Sequence, residues 1–201
     1  MRRALNHLQS SDPVLGGIIR QVGPYRIQYR EPGFDTMVRS IIYQQLSGKA
    51  AATIYGRLRD AAGADEVTPE ALQRLRPARM RSLGVSPQKL RYLRHLAEMT
   101  RCGDLDFAAL PSLDDERVVE HLTQVKGVGV WTAQMFLIFA LRRPNVLPVA
   151  DLGIQNAVQR AYGLEERPAP KEIEARGACW RPWASVASWY LWRSLDGPAA
   201  L

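Results

Sequence analysis

One short segment restricts the folds open to this chain more than any other: a turn with two glycines between two apolar helical segments. It runs from Leu122 to Ala133 and contains Gly127 and Gly129. Glycine reaches positive φ and lets another backbone approach without a Cβ in the way. The amides from Gly127 to Thr132 then lie at a helix N-terminus, where the helix dipole favours an anion. The segment therefore predicts either a site for one phosphate group or an ordinary corner between helices.

Helix signals recur along the chain, whereas strand signals are rare. Thr68-Pro69 and Ser86-Pro87 each place a capping residue before a proline, which is typical of a helix start. Phe34-Asp35 offers a further N-cap, and Tyr25–Tyr29 fits either a strand or an extended lead-in. The sequence therefore predicts an all-α fold. The expected helices are 35–46, 47–62 ending at Gly63, 87–102 ending at Gly103, 130–141, 152–162, 171–178 and 182–195, with others starting at Pro69 and Asp115.

The overall charge suits a polyanionic partner. Among 201 residues, 27 Lys and Arg face 20 Asp and Glu, which gives a formal net charge of +7. Nucleic acid is the first candidate and an acidic membrane surface the second, while a bias toward arginine would explain the same count. The first residues lack an apolar secretion signal. The longest apolar run, Met135 to Leu141, is far shorter than the ~20 residues that span a bilayer. A cytoplasmic protein is expected, associated with the nucleoid if it binds DNA.

The two-glycine turn also resembles a known motif. Val125-Lys126-Gly127-Val128-Gly129-Val130-Trp131-Thr132-Ala133 is similar to the helix–hairpin–helix of the HhH-GPD superfamily of base excision DNA glycosylases. About twenty residues later comes Pro148-Val149-Ala150-Asp151, where that superfamily carries a Gly/Pro-rich hairpin and an aspartate. The similarity covers roughly residues 30 to 195. It is strongest to the alkylpurine branch, the 3-methyladenine DNA glycosylase II type.

The resemblance implies one HhH-GPD domain over 1–201, built as two helical lobes that flank a cleft. Lobe one is expected at about 34–145, and lobe two at about 1–33 plus 146–201. About 30 residues precede the similar region, so the N-terminal β-rich domain of larger relatives is expected to be absent or reduced. No cofactor is expected, although the resemblance allows a structural monovalent cation at the hairpin. Cys102 and Cys179 are too few for an iron–sulfur cluster and are expected as packed free thiols.

Asp151 has two interpretations. It stands directly before an amphipathic helical segment, so its position alone makes it an N-cap. The resemblance instead aligns it with the superfamily's catalytic carboxylate. Such a group stabilises the positive charge that builds on deoxyribose as the glycosidic bond breaks, and it orients or deprotonates the attacking water. A cationic alkylated purine leaves as a neutral base, so no second carboxyl group is needed as an acid.

Five tryptophans fit either an apolar core or a base pocket. A core is the simpler interpretation for Trp180, Trp183 and Trp189. The resemblance aligns Trp131 and Trp192 with aromatic residues that stack on a flipped, positively charged base. Trp131 also stands where strand-cleaving relatives carry a nucleophilic lysine, two residues after the second glycine. This departure predicts hydrolysis without strand cleavage.

Two segments carry the predicted DNA contacts. Residues 41–47 resemble the superfamily segment that fills the gap left by the flipped nucleotide. Gln45 is the preferred plug, and Gln44 and Leu46 are alternatives. An amphipathic helix with solvated glutamines would explain the same segment. The predicted contacts of the hairpin are Lys126, Gly127, Gly129 and Thr132.

The resemblance implies a monofunctional glycosylase of base excision repair that acts on damaged double-stranded DNA as a monomer. Its expected bases are 3-methyladenine and 7-methylguanine, with 1-methyladenine and 3-methylcytosine as further candidates. A same-fold enzyme for deaminated or mismatched bases would usually need a general acid, and none is evident. A non-catalytic helix–hairpin–helix module would bind DNA without releasing a base. Relatives usually carry arginine at the position of Ala184, which leaves one local charge contact in doubt.

Overall fold

The computed structural model describes residues 1–63 and 65–196, and all regular elements in this part of the chain are helical. The predicted all-α fold is confirmed. In residues 1–63 and 65–196, twelve α-helices follow one another, with short 3₁₀ turns at Leu110–Ser112 and Ala178–Trp180. They are α1 Arg2–Ser11, α2 Pro13–Val22, α3 Phe34–Tyr43, α4 Gly48–Ala62, α5 Pro69–Arg74, α6 Pro77–Ser82, α7 Pro87–Cys102, α8 Asp115–Thr123, α9 Val130–Phe139, α10 Leu152–Ala161, α11 Pro170–Gly177 and α12 Ala184–Leu195.

The helix boundaries follow the capping residues that the sequence offers. The side chains of Ser47, Thr68 and Ser86 each accept a hydrogen bond from a backbone amide in the first turn of the following helix. Gly63 and Gly103 adopt the left-handed conformation and end α4 and α7. Local chemistry therefore fixes these starts and stops, because it satisfies amides and carbonyls that a helix end leaves unpaired.

The sequence suggested Asp35 as the N-cap of α3, and this prediction is wrong. Gly33 occupies that position, and the Asp35 carboxylate instead accepts hydrogen bonds from the Tyr55 hydroxyl and, at 3.0 Å, from the Val67 amide. The Asp35 carboxylate therefore binds partners that are distant in sequence and does not cap its own helix. The helix also stops at Tyr43, before the predicted end at 46.

Several other local predictions need correction. The predicted helix at 182–195 begins at Ala184 instead, and Tyr25–Tyr29 is extended but forms no strand. Helices α1, α2 and α6 had not been predicted. Cys102 and Cys179 are free thiols, but both are exposed and neither is packed inside the protein.

The chain forms two compact units. Among the described residues, the first combines Met1–Tyr29 with residues 142–196, and the second lies within Arg30–Leu141. In the first unit, α12 packs against α2 and α10. Its core contains the fully buried side chains of Leu8, Leu15 and Tyr190. In the second unit, α7 packs against α3, α5 and α6.

A buried aspartate organises the core of the first unit. Asp12 caps α2, because its Oδ1 accepts hydrogen bonds from the amides of Val14 and Leu15, each at 3.0 Å. Its Oδ2 accepts hydrogen bonds from the Tyr162 hydroxyl and, at 2.8 Å, from Trp180 Nε1. Burial alone would raise the pKa of Asp12, but these four hydrogen bonds outweigh it and hold the pKa below its ordinary value.

Within the described part of the chain, no helix is both long and apolar enough to cross a bilayer.

Asp12→Ala is expected to lower the free energy of unfolding by about 2–4 kcal/mol, because it removes a helix cap and leaves the buried Trp180 N–H without its acceptor. Urea unfolding at pH 7 measures this loss.

Asp12→Asn tests the contribution of the Asp12 charge to stability. Because the folded pKa is lowered, the stability due to ionised Asp12 is fully present above the ordinary carboxyl pKa of about 4 and is lost as the pH falls through the folded value. Urea unfolding from pH 7 to pH 3 should therefore show the gap between wild type and Asp12→Asn shrinking. The exposed Asp65→Asn is the control, and a gap that does not change with pH would contradict the assignment.

Candidate functional site

Asp151 lies in the first unit, at the start of α10. Its amide donates to the carbonyl of Pro148 at 2.9 Å, which closes a turn just before the helix. Its Oδ1 accepts a hydrogen bond from the amide of Ile154 at 2.8 Å, so the predicted capping role is present. Only 9% of Asp151 is exposed. The site therefore holds a carboxylate that is almost buried.

A tryptophan from another helix holds the same oxygen. Trp192, on α12, donates from Nε1 to Oδ1 of Asp151 at 2.8 Å. The donors on α10 and α12 thus converge on one carboxylate oxygen. Hydrogen bonds to a charged group are stronger than those between neutral groups. The geometry fixes the orientation of the Asp151 carboxylate from two directions.

Gly153 leaves room for this arrangement. A Cβ at this position would lie 2.9 Å from Oδ1 of Asp151 and 3.0 Å from Cδ1 of Trp192. Both distances are too short for a side chain to fit without moving the carboxylate or the indole. The glycine is therefore required by close approach and not by an unusual backbone conformation.

The other tryptophans of the first unit serve mainly in packing, as the simpler interpretation predicted. Trp180 is fully buried, and Trp189 packs edge-on against the rings of Tyr25 and Tyr190. Trp183 is half-buried and occupies the N-cap position of α12, where its side chain makes no capping hydrogen bond. Trp192 is also half-buried, and its hydrogen bond to the carboxylate was not predicted. Nothing in the sequence around Trp192 indicates that its N–H, and not only its ring face, has a partner.

Ala184 is fully buried at the first position of α12. The small side chain fits that position.

The two-glycine turn lies in the second unit, between α8 and α9. Its backbone closes on itself, since Val125 N donates to Leu122 O at 3.2 Å and Val128 N donates to Val125 O at 3.0 Å. Gly127 has a φ of +83°. Gly129 is the N-cap of α9. The predicted hairpin is therefore present, and its second helix begins at Val130.

The exposed parts of the hairpin fit a phosphate contact. The amides of Val130, Trp131 and Thr132 occupy the first three positions of α9, at the positive end of its helix dipole. The Val130 and Trp131 side chains are 55% and 44% exposed, and Lys126 is exposed as well. Thr132 is only 4% exposed, so its side chain faces inward. An anion would meet backbone amides and a lysine here.

Side chains from α7 support the hairpin from behind. The Tyr92 ring lies so close to Gly127 that a Cβ there would be 2.1 Å from ring atom Cδ2. His95 accepts a hydrogen bond at Nδ1 from the amide of Lys126, at 3.1 Å. Sequence reasoning missed both residues. Their spacing of three places them on one helix face, but the same spacing is typical of any amphipathic helix.

The predicted plug segment lies between α3 and α4. Gln44 does not project freely, because its Nε2 donates to Gly127 O at 2.9 Å and to Thr132 Oγ1 at 3.3 Å. Gln45 is exposed and has a φ of +56°, which is uncommon outside glycine. Leu46 is 40% exposed. The structure therefore joins Gln44 to the hairpin and leaves the Gln45 and Leu46 side chains facing solvent.

The side chains that could bind a metal do not cluster. Within residues 1–63 and 65–196, no three side chains of His, Cys, Asp or Glu lie close enough together to hold a metal ion.

Comparison with known proteins places these features in context. The family model for the HhH-GPD superfamily base excision DNA repair protein matches residues 38–183. DNA-3-methyladenine glycosylase 1 of Schizosaccharomyces pombe is 32% identical over 200 residues, covering 96% of this chain and 87% of the relative. The structure of the S. pombe 3-methyladenine DNA glycosylase in complex with abasic DNA superposes with a TM-score of 0.87, covering 96% of each chain.

Two bacterial proteins are similarly close. The crystal structure of a DNA-3-methyladenine glycosidase from Bacillus halodurans is 36% identical, with a TM-score of 0.87 over 98% of this chain and 90% of the other. A Bacillus subtilis protein provisionally named a DNA-3-methyladenine glycosylase is 36% identical over 169 residues. That match covers 81% of this chain and 59% of the length of the B. subtilis relative.

Gly127→Ala is expected to lower the free energy of unfolding by about 2 kcal/mol or more, because the new Cβ meets Tyr92 and the positive φ disfavours alanine. Gly63→Ala is the matched control. Gly63 also has positive φ, but a Cβ there would have nothing within 4 Å, so its cost is the backbone term of about 1 kcal/mol. Urea unfolding measures both. Adding Tyr92→Ala to Gly127→Ala should recover part of the loss, and equal costs at the two glycines would show that the ring contact is unimportant.

Proposed function

Because the chain belongs to the HhH-GPD superfamily of base excision DNA repair proteins, we propose that it is a monofunctional DNA glycosylase that hydrolyses the N-glycosidic bond of 3-methyladenine in double-stranded DNA. One observation carries the proposal: the almost buried Asp151 carboxylate is held in place by the amide of Ile154 and by Trp192 Nε1. The names of the S. pombe and B. halodurans relatives support the same activity.

Asp151 would act by electrostatics. As the bond between the base and C1′ breaks, positive charge develops on the deoxyribose, and a fixed carboxylate beside the sugar lowers the energy of that transition state. A preorganised charge is effective because it does not have to reorient during the reaction. The same carboxylate would orient the attacking water and accept its proton. The two donors on Oδ1 supply the preorganisation.

The leaving group explains why one carboxylate suffices. A base alkylated on a ring nitrogen that carried no proton, as in 3-methyladenine, bears a positive charge in the nucleotide and departs as a neutral molecule, so no acid has to protonate it. The proposal therefore extends to 7-methylguanine, 1-methyladenine and 3-methylcytosine, which share that charge. Stacking on Trp131 and Trp192 would favour such electron-poor bases through cation–π attraction. The indole of Trp192 would then have two roles, one through its ring face and one through its N–H.

Hydrolysis without strand cleavage rests on what stands in the hairpin. Trp131 occupies the position two residues after Gly129, where strand-cleaving members of the superfamily carry a lysine. An indole has no amine that forms a Schiff base with the sugar. Lys126 is exposed inside the turn, and its charge suits a phosphate contact instead.

The hairpin would bind one phosphate of the DNA backbone. The amides at the start of α9, together with Lys126, supply donors and positive charge without distinguishing one base from another. Sequence-independent binding is what an enzyme needs when its target is a lesion and not a sequence. Gln45 or Leu46, both exposed, would then fill the gap left by the flipped nucleotide.

A structural monovalent cation at the hairpin would use backbone carbonyls. The carbonyls of Val125 and Gly127 each accept a hydrogen bond within the protein, and a carbonyl oxygen has a second lone pair. Neutral oxygen donors of this kind fit a weakly held, hard cation. Such an ion would steady the turn and would take no part in the chemistry.

Asp151→Asn is expected to lower the rate of 3-methyladenine release from methylated duplex DNA by at least about 100-fold, because it removes the charge that stabilises the transition state. Chromatography of released bases measures the rate, and a gel after mild handling should show abasic sites but no nicks. DNA affinity should change by less than about threefold, because the hairpin supplies the binding. Intact DNA binding without release of any methylated base by the wild type would instead favour another lesion or a non-catalytic module.

Trp192→Phe is expected to lower kcat roughly 10-fold while KM changes less than about threefold. The ring face remains for stacking, but the hydrogen bond to a charged group, worth about 1.5–3 kcal/mol, is lost. Trp192→Leu should lower kcat and raise KM, because it removes the stacking surface as well. Trp183→Phe, in the half-buried tryptophan that precedes α12, is the control and should leave both constants nearly unchanged. If Trp192→Phe matched that control, the N–H would have no role in positioning Asp151.

A further inference from the structure

The connection from α3 to α4 depends on a lysine that belongs to neither helix. Lys89, near the start of α7, donates from Nζ to Ile42 O at 2.5 Å and to Gln44 O at 2.7 Å. These two carbonyls stand on either side of Tyr43, where α3 ends. Lys89 therefore caps α3 from outside, and its charge lies at the negative end of that helix dipole.

Gln45, the residue after Gln44, adopts a backbone conformation that costs free energy. Gln45 has a φ of +56°, in the left-handed region that residues with a Cβ rarely adopt. Such a conformation persists only where the surroundings hold it in place, and it is typical of functional segments. Here the surroundings on the N-terminal side are the two hydrogen bonds of Lys89, and on the C-terminal side Ser47 caps α4 by accepting from Ala50 N at 3.3 Å.

Lys89 is half-buried, and burial lowers its pKa below the ordinary lysine value. A desolvated ammonium group is stabilised by its carbonyl partners, and the carbonyls in turn have a charged donor. Replacing the lysine by an apolar side chain would leave both carbonyls without this charged donor. The contact is therefore specific and not an incidental surface charge.

The same connection is attached to the hairpin. Gln44 donates its side-chain amide to Gly127 O and to Thr132 Oγ1, while its own carbonyl accepts from Lys89. Tyr92 and His95, farther along α7, contact the hairpin at Gly127 and at Lys126 N. One face of α7 thus holds both the segment at 44–46 and the phosphate-binding turn.

We propose that Lys89 is a positioning residue for base flipping: it holds the 44–46 connection so that Gln45 remains left-handed and Gln45 and Leu46 are presented for insertion into the DNA. The inference rests on the proposed glycosylase function. Gln44 makes the plug segment and the hairpin one rigid assembly within the second unit, so a phosphate bound at the hairpin aligns the plug with the duplex. Insertion then requires no rearrangement of the loop, and the loop's conformational entropy is lost on folding, before DNA binds.

Single-turnover release of 3-methyladenine from methylated duplex DNA tests this role. Lys89→Met keeps the length of the side chain but removes the donor, and it should slow release about tenfold while the half-saturating DNA concentration changes less than about threefold. Lys89→Arg, which keeps a charged donor, should recover part of the rate. Arg91→Met is the matched control, because it removes the same charge from an exposed position on α7 and should leave the rate within about twofold.

A double-mutant cycle tests whether Lys89 acts through Gln45. Glycine adopts positive φ readily, so in a Gln45→Gly background Lys89→Met should cost less than about twofold. Equal costs in both backgrounds, or a Lys89→Met rate equal to that of Arg91→Met, would overturn the proposal. Thermal unfolding followed by circular dichroism identifies any variant that is merely unfolded.

Hydrogen exchange separates this inference from the function on which it rests. Lys89→Met should speed amide exchange at 45–47 in the free protein, while exchange in α9 stays unchanged. If the wild type released no methylated base, the glycosylase proposal would fail, yet the exchange result would still decide whether Lys89 holds the connection. Unchanged exchange at 45–47 would overturn the positioning role, whatever the activity.

Discussion

The hydrogen bonds on Oδ1 of Asp151 are the interaction on which the proposed chemistry depends. A carboxylate stabilises a developing cation only if it is fixed in place and shielded from bulk water. Ile154 N supplies one constraint from the same helix, and Trp192 Nε1 supplies another from α12. The rest of the first unit serves this contact, because the buried side chains between α2, α10 and α12 set the distance between the two donors. Gly153 leaves the space that the contact requires.

In the second unit, the main structural requirement is to stabilise two segments of irregular backbone. A tight turn and a left-handed glutamine have few internal hydrogen bonds, so both depend on a regular element nearby. Helix α7 is that element. Its side chains Lys89, Tyr92 and His95 each contact a different point of the 44–46 connection or the hairpin. The packing of α7 against α3 and α5 therefore stabilises the hairpin and the 44–46 connection as well as the core.

The contacts that the sequence predicted and those that it missed differ in how far apart the two partners lie along the chain. Helix caps at Ser47, Thr68 and Ser86 were predictable because a side chain bonds an amide only three residues away. The glycine turn and Asp151 were found because their residues are adjacent in the chain. The roles of Asp35 and Lys89 depend on partners between 20 and 47 residues away, as for Asp35 with Tyr55 and Lys89 with Ile42. Such pairs leave no local pattern, because each residue alone is typical of a solvated helix.

A comparison of Asp12 with Asp151 shows why local sequence does not distinguish a structural carboxylate from one with a proposed catalytic role. Both cap a helix, and both accept a hydrogen bond from a tryptophan N–H at 2.8 Å. In Asp12 the amide donors bind Oδ1 and the side-chain donors bind Oδ2, so the protein satisfies both oxygens and uses the charge for stability. In Asp151 the amide and the indole meet at the same oxygen. An amide donor and an indole donor therefore bind different oxygens of Asp12 but the same oxygen of Asp151. That difference is one of side-chain geometry, since the indole donor comes from the 3₁₀ turn Ala178–Trp180 in one case and from α12 in the other, and neither donor is adjacent in sequence to its aspartate.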